Sequence, residues 1–224
     1  MIVLVAHGTR DPAGPVVIEE LAQRVRSAGV RVRIAYADVR DPDVTTVLRS
    51  VAEPVVVLPA FLAAGYHVRT DIPAQIEASG HRAVTLADSF GPAPELVRAM
   101  RDRLLAAGYR PGDGVVLAAA GSSDRRALVD VHDAAYALST RLGAAVRVGY
   151  AATASPSVAD AVAEVRARHS RVAVASWLLA PGLFQQRVRD CGADAIAEPL
   201  GTHPGVADLI VRRYVEARTR LAAA

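Results

Sequence analysis

Short apolar runs recur along the 224-residue chain, and each gap between them is long enough for a helix or a loop. Most of the runs are rich in Val, Ile and Ala. Continuous apolar runs of about five residues are typical of strands buried on both faces of a sheet. The runs cover residues 2–6, 32–36, 55–59, 83–87, 115–119, 146–150, 172–176 and 193–197.

Several segments between these runs have helical spacing. PVVIEELAQRVRSAG (15–29) and PELVRAMRDRLLAAG (94–108) place apolar residues three and four apart, and both end in Gly. Glycine at this place is a common signal for the C-terminal end of a helix. The alternation of strand and helix predicts an α/β fold with parallel sheets.

An internal repeat divides the chain into two halves. A duplicated domain explains the repeat better than one barrel of eight units does. We therefore predict two similar domains, residues 1–110 and 114–224, each a four-stranded parallel sheet flanked by helices. The turn-rich stretch GYRPGDG would join them. The matching segments, in the same order in both halves, are 4–11 with 117–124, 33–48 with 147–162, and 61–70 with 178–187.

The two halves share scaffold residues and differ in chemically active ones. The glycines next to two histidines are kept in both halves, whereas the histidines and a carboxylate occur only in the first. This difference predicts one working site, in the first half, with the second half as a lid or wall. The replaced residues are His7 by Ala120, Asp38 by Ala152 and His67 by Phe184, and the kept glycines are Gly8 with Gly121 and Gly65 with Gly182.

The three residues lost from the second half all follow predicted strands. His7, Asp38 and His67 come after the carboxyl ends of the first three strands, and such ends line the ligand crevice of parallel sheets. Two imidazoles and a carboxylate there predict a divalent-metal site. The alternative is that both histidines are ordinary loop residues. Their positions beside glycines and their loss from the second half favour the functional interpretation.

Composition excludes several classes of chemistry. All 26 basic residues are arginines, which excludes a Schiff-base lysine and a P-loop lysine. The net charge is only +3 and the arginines are dispersed, unlike the basic stripe of a nucleic-acid binder. A single cysteine, Cys191, excludes an internal disulfide. No membrane span or signal peptide is predicted, and we expect a cytoplasmic protein.

Two motifs resemble a known family. HGTRDP (7–12) and FLAAGYHVRTDIP (61–73) are similar to the class II tetrapyrrole chelatases, and most closely to sirohydrochlorin chelatases of the CbiX/SirB type in their long, two-domain form. YAD (36–38) resembles the second-strand segment of that family, where Glu usually replaces Asp38. The resemblance implies ATP-independent insertion of Fe²⁺ or Co²⁺ into sirohydrochlorin, for siroheme or cobalamin synthesis. It also implies that His7 and His67 are the catalytic, metal-handling residues.

The chemistry suits these residue types. Inserting a divalent metal removes two pyrrole N–H protons, and neutral imidazole is both a moderate metal ligand and a base near neutral pH. We expect no permanently bound cofactor, because the metal is a substrate. Fe²⁺, Co²⁺ and Ni²⁺ all suit imidazole with carboxylate. Gly65 is predicted to let a flat macrocycle approach the backbone, and Phe184 to offer it an apolar surface.

Two arginines stand close to the histidines in sequence. Sirohydrochlorin carries peripheral carboxylates, which Arg10 and Arg69 are placed to bind in bidentate fashion. The alternative for Arg10 is that it pairs with Asp11 or Asp71 and braces the loop.

Two other functions remain open at this stage. One is a non-catalytic carrier that holds metal or tetrapyrrole in the same cleft. The other is a phosphoryl-transfer enzyme with His7 as nucleophile, which expects an Arg immediately before that histidine, where Ala6 stands. Because the duplication supplies two domains in one chain, we expect a monomer with a tetrapyrrole and a metal ion as its partners.

Overall fold

The computed structural model describes residues 1–222, and these form two four-stranded parallel sheets. The first sheet has the strand order β2-β1-β3-β4 and the second the order β6-β5-β7-β8, so the internal repeat is also a repeat of topology. This confirms the predicted fold class. The strands are Ile2–Ala6 (β1), Val32–Tyr36 (β2), Val55–Pro59 (β3), Val84–Leu86 (β4), Gly114–Ala119 (β5), Val146–Tyr150 (β6), Val172–Trp177 (β7) and Ala195–Ile196 (β8).

Eight α-helices connect or follow the strands within the described residues. A π-helical turn, His67–Asp71, which the sequence did not predict, leads directly into the third helix. None of the helices within residues 1–222 is long and apolar enough to cross a membrane. The helices are Ala13–Ser27 (α1), Val44–Arg49 (α2), Ile72–Ser79 (α3), Pro94–Ala106 (α4), Arg125–Leu142 (α5), Val158–Arg166 (α6), Leu183–Arg189 (α7) and Pro204–Ala222 (α8).

The two inner strands of each sheet, β1 with β3 and β5 with β7, are fully buried. All residues of β1 and of β5 are buried, and each of these strands pairs on both sides with a parallel neighbour. Burial on both faces explains why the sequence shows continuous apolar runs and no alternation. The outer strands β4 and β8 are shorter than predicted, and each pairs with only one neighbour.

The last helix of each half packs against the other half. α4 ends the first half but contacts β7 and α5, whereas α8 ends the second half and contacts α1, β3 and β4. One hydrophobic core therefore contains side chains from both halves, among them Phe90, Leu96 and Leu209. The predicted boundary lies between α4 and β5, and the core is continuous across it. This exchange of helices fixes the two sheets in one body.

An ion pair joins the two exchanged helices. Arg212 on α8 donates to both carboxylate oxygens of Glu95 on α4, with Nε–Oε1 at 2.6 Å and Nη2–Oε2 at 3.0 Å. These hydrogen bonds are the main reason that the pKa of Glu95 lies below its ordinary value of 4.5. A carboxyl group whose pKa is lower in the folded than in the unfolded protein stabilises the fold above its unfolded pKa. That stabilisation is lost as the pH falls through the folded pKa.

We expect Glu95→Gln to lower the free energy of unfolding by about 1 kcal/mol near neutral pH, a value that allows for solvent screening of a partly exposed arginine. The difference from the wild type should shrink as the pH falls below 4.5. Urea unfolding across an acidic pH series measures it. Glu198→Gln is the control, since the pair of Glu198 with Arg189 is exposed on both sides. A difference that stays constant in acid would contradict the prediction.

Candidate active site

A cleft of about 630 Å³ lies between the halves, at the carboxyl ends of the strands of both sheets. The loops after β1, β3, β5 and β7 form its walls. Because corresponding loops of the two halves face each other, each half supplies one side. The walls are mostly apolar and include Ile18, Leu62, Leu128, Val131, Leu179 and Pro181.

The structure brings His7 and His67 together on the first-half side of this cleft. His7 follows β1 and His67 begins the π-helical turn after β3, and β1 and β3 are paired neighbours. The two imidazole rings meet edge to face, with centroids 4.6 Å apart and an interplanar angle of 81°. Phe61 lies beside both, with its ring centroid 6.0 Å from each imidazole. The pair therefore has an apolar floor.

Hydrogen bonds fix which nitrogen of each histidine is free. Nδ1 of His7 lies 3.1 Å from the carbonyl oxygen of Gly8, and Nδ1 of His67 lies 2.8 Å from Oδ2 of Asp71. A carbonyl and a carboxylate only accept hydrogen bonds, so Nδ1 carries the hydrogen in both rings. In a neutral imidazole Nε2 then has an available lone pair. The cleft thus contains two imidazole lone pairs that can bind a metal or accept a proton.

Asp38 does not join the two histidines, which corrects the expected three-ligand site. Its backbone is close to them, because the Asp38 N–H donates to the carbonyl of His7 at 3.0 Å. Its side chain is exposed, and Oδ1 accepts a hydrogen bond from the Val39 N–H at 2.7 Å. Within residues 1–222 no three His, Cys, Asp or Glu side chains form a group that could hold a metal. The histidine pair alone remains.

The two predicted substrate arginines also lie elsewhere. Arg69 is exposed, and its Nε donates to the carbonyl of Ala64 at 2.7 Å, which braces the loop before His67. Arg10 is exposed in the loop between β1 and α1. Neither belongs to the described residues that line the cleft. Asp71, which was one alternative partner for Arg10, binds His67 instead. Both arginines lie outside the cleft lining, so carboxylate binding by them stays a prediction.

The second half holds the loop that carries His67. Oδ2 of Asp130 on α5 accepts a hydrogen bond from the Ala64 N–H at 2.8 Å. Gly65 lines the cleft, and a Cβ added there would lie 3.6 Å from Oγ of Ser122 and 3.7 Å from Cβ of Ala127. Both distances are those of ordinary van der Waals contacts, so the second half packs against this loop without requiring glycine at position 65. The second half is more than a passive wall, because it sets the position of this loop.

The side of the cleft opposite the histidines is apolar. Phe184 stands at the position that matches His67 and lines the cleft with 40% of its surface exposed. Ala120, at the position that matches His7, also lines it. Leu183 and Trp177 extend this wall. One side of the cleft can therefore handle a metal and the other can contact a flat apolar surface.

Three residues near the pair were not identified from the sequence. Phe61 lies beside the two imidazoles. Asp71 and Gln75 form a row of hydrogen-bonded side chains behind His67, in which His67 contacts Asp71 and Asp71 contacts Gln75. His67, Asp71 and Gln75 are four residues apart, a spacing that puts side chains on one face of a helix. That spacing was visible in the sequence and would have indicated the row.

Known proteins resemble the chain in sequence and in fold. The CbiX family pattern matches residues 1–107 and again residues 114–217. The sirohydrochlorin cobaltochelatase of Methanopyrus kandleri is 36% identical over 78 residues, which is 32% of this chain and about half (54%) of the relative's length. Bacillus subtilis SirB, solved with Fe³⁺, superposes with a TM-score of 0.78 at 22% identity, covering 96% of this chain and 94% of SirB.

A second solved structure shows the same fold. CbiX, described as the terminal enzyme of siroheme biosynthesis in denitrifying bacteria, superposes with a TM-score of 0.73 at 23% identity, covering 96% of this chain and 98% of the other. At such identities the superpositions establish the fold. The family pattern covers nearly the whole chain and occurs once in each half, in agreement with the internal repeat. The chain belongs to the CbiX family.

Proposed function

We propose that this protein inserts a divalent metal ion, Fe²⁺ or Co²⁺, into sirohydrochlorin without ATP. The observation that carries the proposal is the pair of imidazoles at 4.6 Å, each with Nε2 available, on one wall of an apolar cleft. The names of the family relatives, a sirohydrochlorin cobaltochelatase among them, support the choice of substrate. The chain has no lysine, which agrees with a reaction that needs no nucleoside triphosphate bound by a P-loop lysine.

The histidine pair suits both steps of the reaction, transfer of the metal and removal of the pyrrole protons. Two imidazole ligands leave the other coordination positions of the metal open to pyrrole nitrogens. Imidazole binds such metals with moderate strength, so transfer to a macrocycle with four nitrogens is downhill. Each Nε2 that gives up the metal regains its lone pair and can accept one of the two pyrrole protons that must leave. His7 and His67 thus serve first as ligands and then as bases.

The shape of the cleft suits a flat macrocycle. The wall that contains Phe184 and Leu179 is apolar and can pack against one face of the ring, while the histidines approach the other face. The peripheral carboxylates then point to the rim, where they remain in water. Keeping charge at the rim avoids the large cost of burying unpaired carboxylates. The metal enters as a substrate and leaves in the product, so no resident cofactor is required.

An anaerobic turnover assay tests the proposal. Purified protein is mixed with sirohydrochlorin and Co²⁺, both in excess, and the visible spectrum of the macrocycle is followed. We expect many equivalents of metallated product for each protein molecule, at a rate above the spontaneous one. A carrier would bind at most one equivalent without turnover, and a rate equal to the spontaneous one would contradict the chelatase function. The same assay with Fe²⁺ compares the two metals.

A further inference from the structure

A carboxylate lies directly behind His67 and shares its local structure. His67 and Asp71 are the first and last residues of the π-helical turn, and Nδ1 and Oδ2 are 2.8 Å apart. The side chains are 25% and 23% exposed, so the contact is largely shielded from water. A π-helical turn is rare and often occurs at a functional site. Here it places the Asp71 carboxylate within hydrogen-bonding distance of Nδ1 of His67, which leaves Nε2 of the same ring free.

Gln75 holds this carboxylate in place. Its Nε2 donates to Oδ1 of Asp71 at 2.9 Å and to the carbonyl of Ala37 at 3.1 Å, and its Oε1 accepts from the Val44 N–H at 3.1 Å. Because Nε2 has two acceptors as partners and Oε1 has a donor, the orientation of the Gln75 amide is determined. One oxygen of Asp71 is thereby fixed, and the other is directed to His67. The row connects His67 to the loop after β2 and to the start of α2.

The second half has lost this row together with its histidine. In the ungapped register of the repeat, the residues at the positions of His67, Asp71 and Gln75 are Phe184, Val188 and Gly192. The corresponding segment is the regular helix α7, without a π-helical turn. Scaffold glycines survive in both halves, whereas the three polar side chains are absent as a set. Loss as a set is expected of residues that serve one purpose.

We propose that Asp71, held by Gln75, is a positioning residue that keeps His67 in the tautomer with hydrogen on Nδ1 and a lone pair on Nε2. Asp71 is not among the described residues that line the cleft, so it acts on the substrates only through His67. Carboxylates that orient a metal-binding histidine contribute about 10- to 100-fold to affinity or activity. The tautomer of His67 can be measured in the protein without metal or tetrapyrrole. Only the effect of the tautomer on the insertion rate rests on the proposed function.

We expect Asp71→Ala to release the ring, which then populates both neutral tautomers. Long-range ¹H–¹⁵N correlation of the histidine rings in the metal-free protein reads the tautomer, and the spectrum of His67→Gln assigns the His67 signals. The wild type and Glu77→Ala, an exposed change on α3, should both show the Nδ1–H pattern. In Asp71→Asn the amide oxygen accepts from Gln75 Nε2 and the amide NH₂ faces Nδ1 of His67, so the opposite tautomer, with hydrogen on Nε2, should predominate. An unchanged tautomer in Asp71→Ala would overturn the proposal.

Kinetics of Co²⁺ insertion supply the second measurement. We expect kcat to fall about 10- to 100-fold in Asp71→Ala and at least as far in Asp71→Asn, which favours the tautomer without a lone pair on Nε2, with KM for sirohydrochlorin unchanged in both. If Asp71→Ala does not fold, Gln75→Leu tests the same row and should give a smaller change in the same direction. A changed tautomer with unchanged kcat would refute the positioning role. A wild type that inserts no metal would refute the proposed function but not the tautomer assignment.

Discussion

His7→Ala and His67→Ala are each expected to lower the rate of Co²⁺ insertion by about 10²- to 10⁴-fold, the range that a positioned acid–base residue contributes. Each substitution removes one of the two Nε2 lone pairs in the cleft, and the described residues offer no third ligand group to replace it. The remaining imidazole is a single ligand for the metal and can accept only one of the two pyrrole protons. The rate above the spontaneous reaction, measured anaerobically, gives the effect.

Two controls make this result specific. His169→Ala removes an exposed imidazole that precedes the amino end of β7, at the opposite end of the sheet from the cleft, and should leave the rate unchanged. The double variant His7→Ala/His67→Ala should be about as slow as either single variant, because residues that act as a unit give non-additive losses. If either single variant keeps the wild-type rate, the histidine pair is not the reaction centre.

The sequence predicts both the parallel sheets and the proximity of His7 to His67, because both follow from the positions of the strands. Parallel strands bring their carboxyl ends to one edge, so residues that follow neighbouring strands must lie close together. His7 and His67 satisfy this condition because β1 and β3 are paired in the sheet. Repetition of the pattern in the second half then indicates two sheets instead of one barrel. Both inferences depend on backbone periodicity, which is a local and strong signal.

The orientation of a side chain after a strand depends on which nearby backbone group binds it. This choice leaves a weaker signal in the sequence than the periodicity of the strands does. Asp38 follows β2 as predicted, but its carboxylate accepts a hydrogen bond from the Val39 N–H and, within the described residues, forms no three-ligand group with the histidines. Arg69 likewise binds the carbonyl of Ala64. Local hydrogen bonds between a side chain and the neighbouring backbone compete in this way in many loops. A sequence pattern identifies the residue type at a strand end but does not show which neighbour satisfies it.

The sequence also does not predict the exchange of α4 and α8 between the halves. An amphipathic pattern shows that one face of a helix is buried but does not identify the sheet that covers it. The sequence predicts two halves that are each flanked by their own helices, whereas in the structure α4 packs against β7 and α8 against β3. The consequence is functional, because a shared core fixes the distance across the cleft.

Gly8→Ala is expected to destabilise the protein by about 2–3 kcal/mol and to abolish metal insertion. Gly8 has φ of +96°, and a Cβ there would lie 2.1 Å from the carbonyl oxygen of Asp38. The left-handed backbone costs a non-glycine residue about 1–2 kcal/mol. Relieving the overlap must separate the loops after β1 and β2 and break the hydrogen bond from Asp38 N–H to His7, which adds about 1 kcal/mol. Urea unfolding measures the loss.

Gly80→Ala separates the two contributions. Gly80 also has a positive φ, +70°, but a Cβ there would meet no atom within 4 Å, so only the backbone cost of about 1–2 kcal/mol applies. Gly80→Ala should therefore unfold more easily than the wild type and still insert metal normally. Gly8→Ala should lose insertion even where it is folded, because His7 moves with the displaced loop. Equal stability and equal activity of the two variants would show that Gly8 does not set the position of His7.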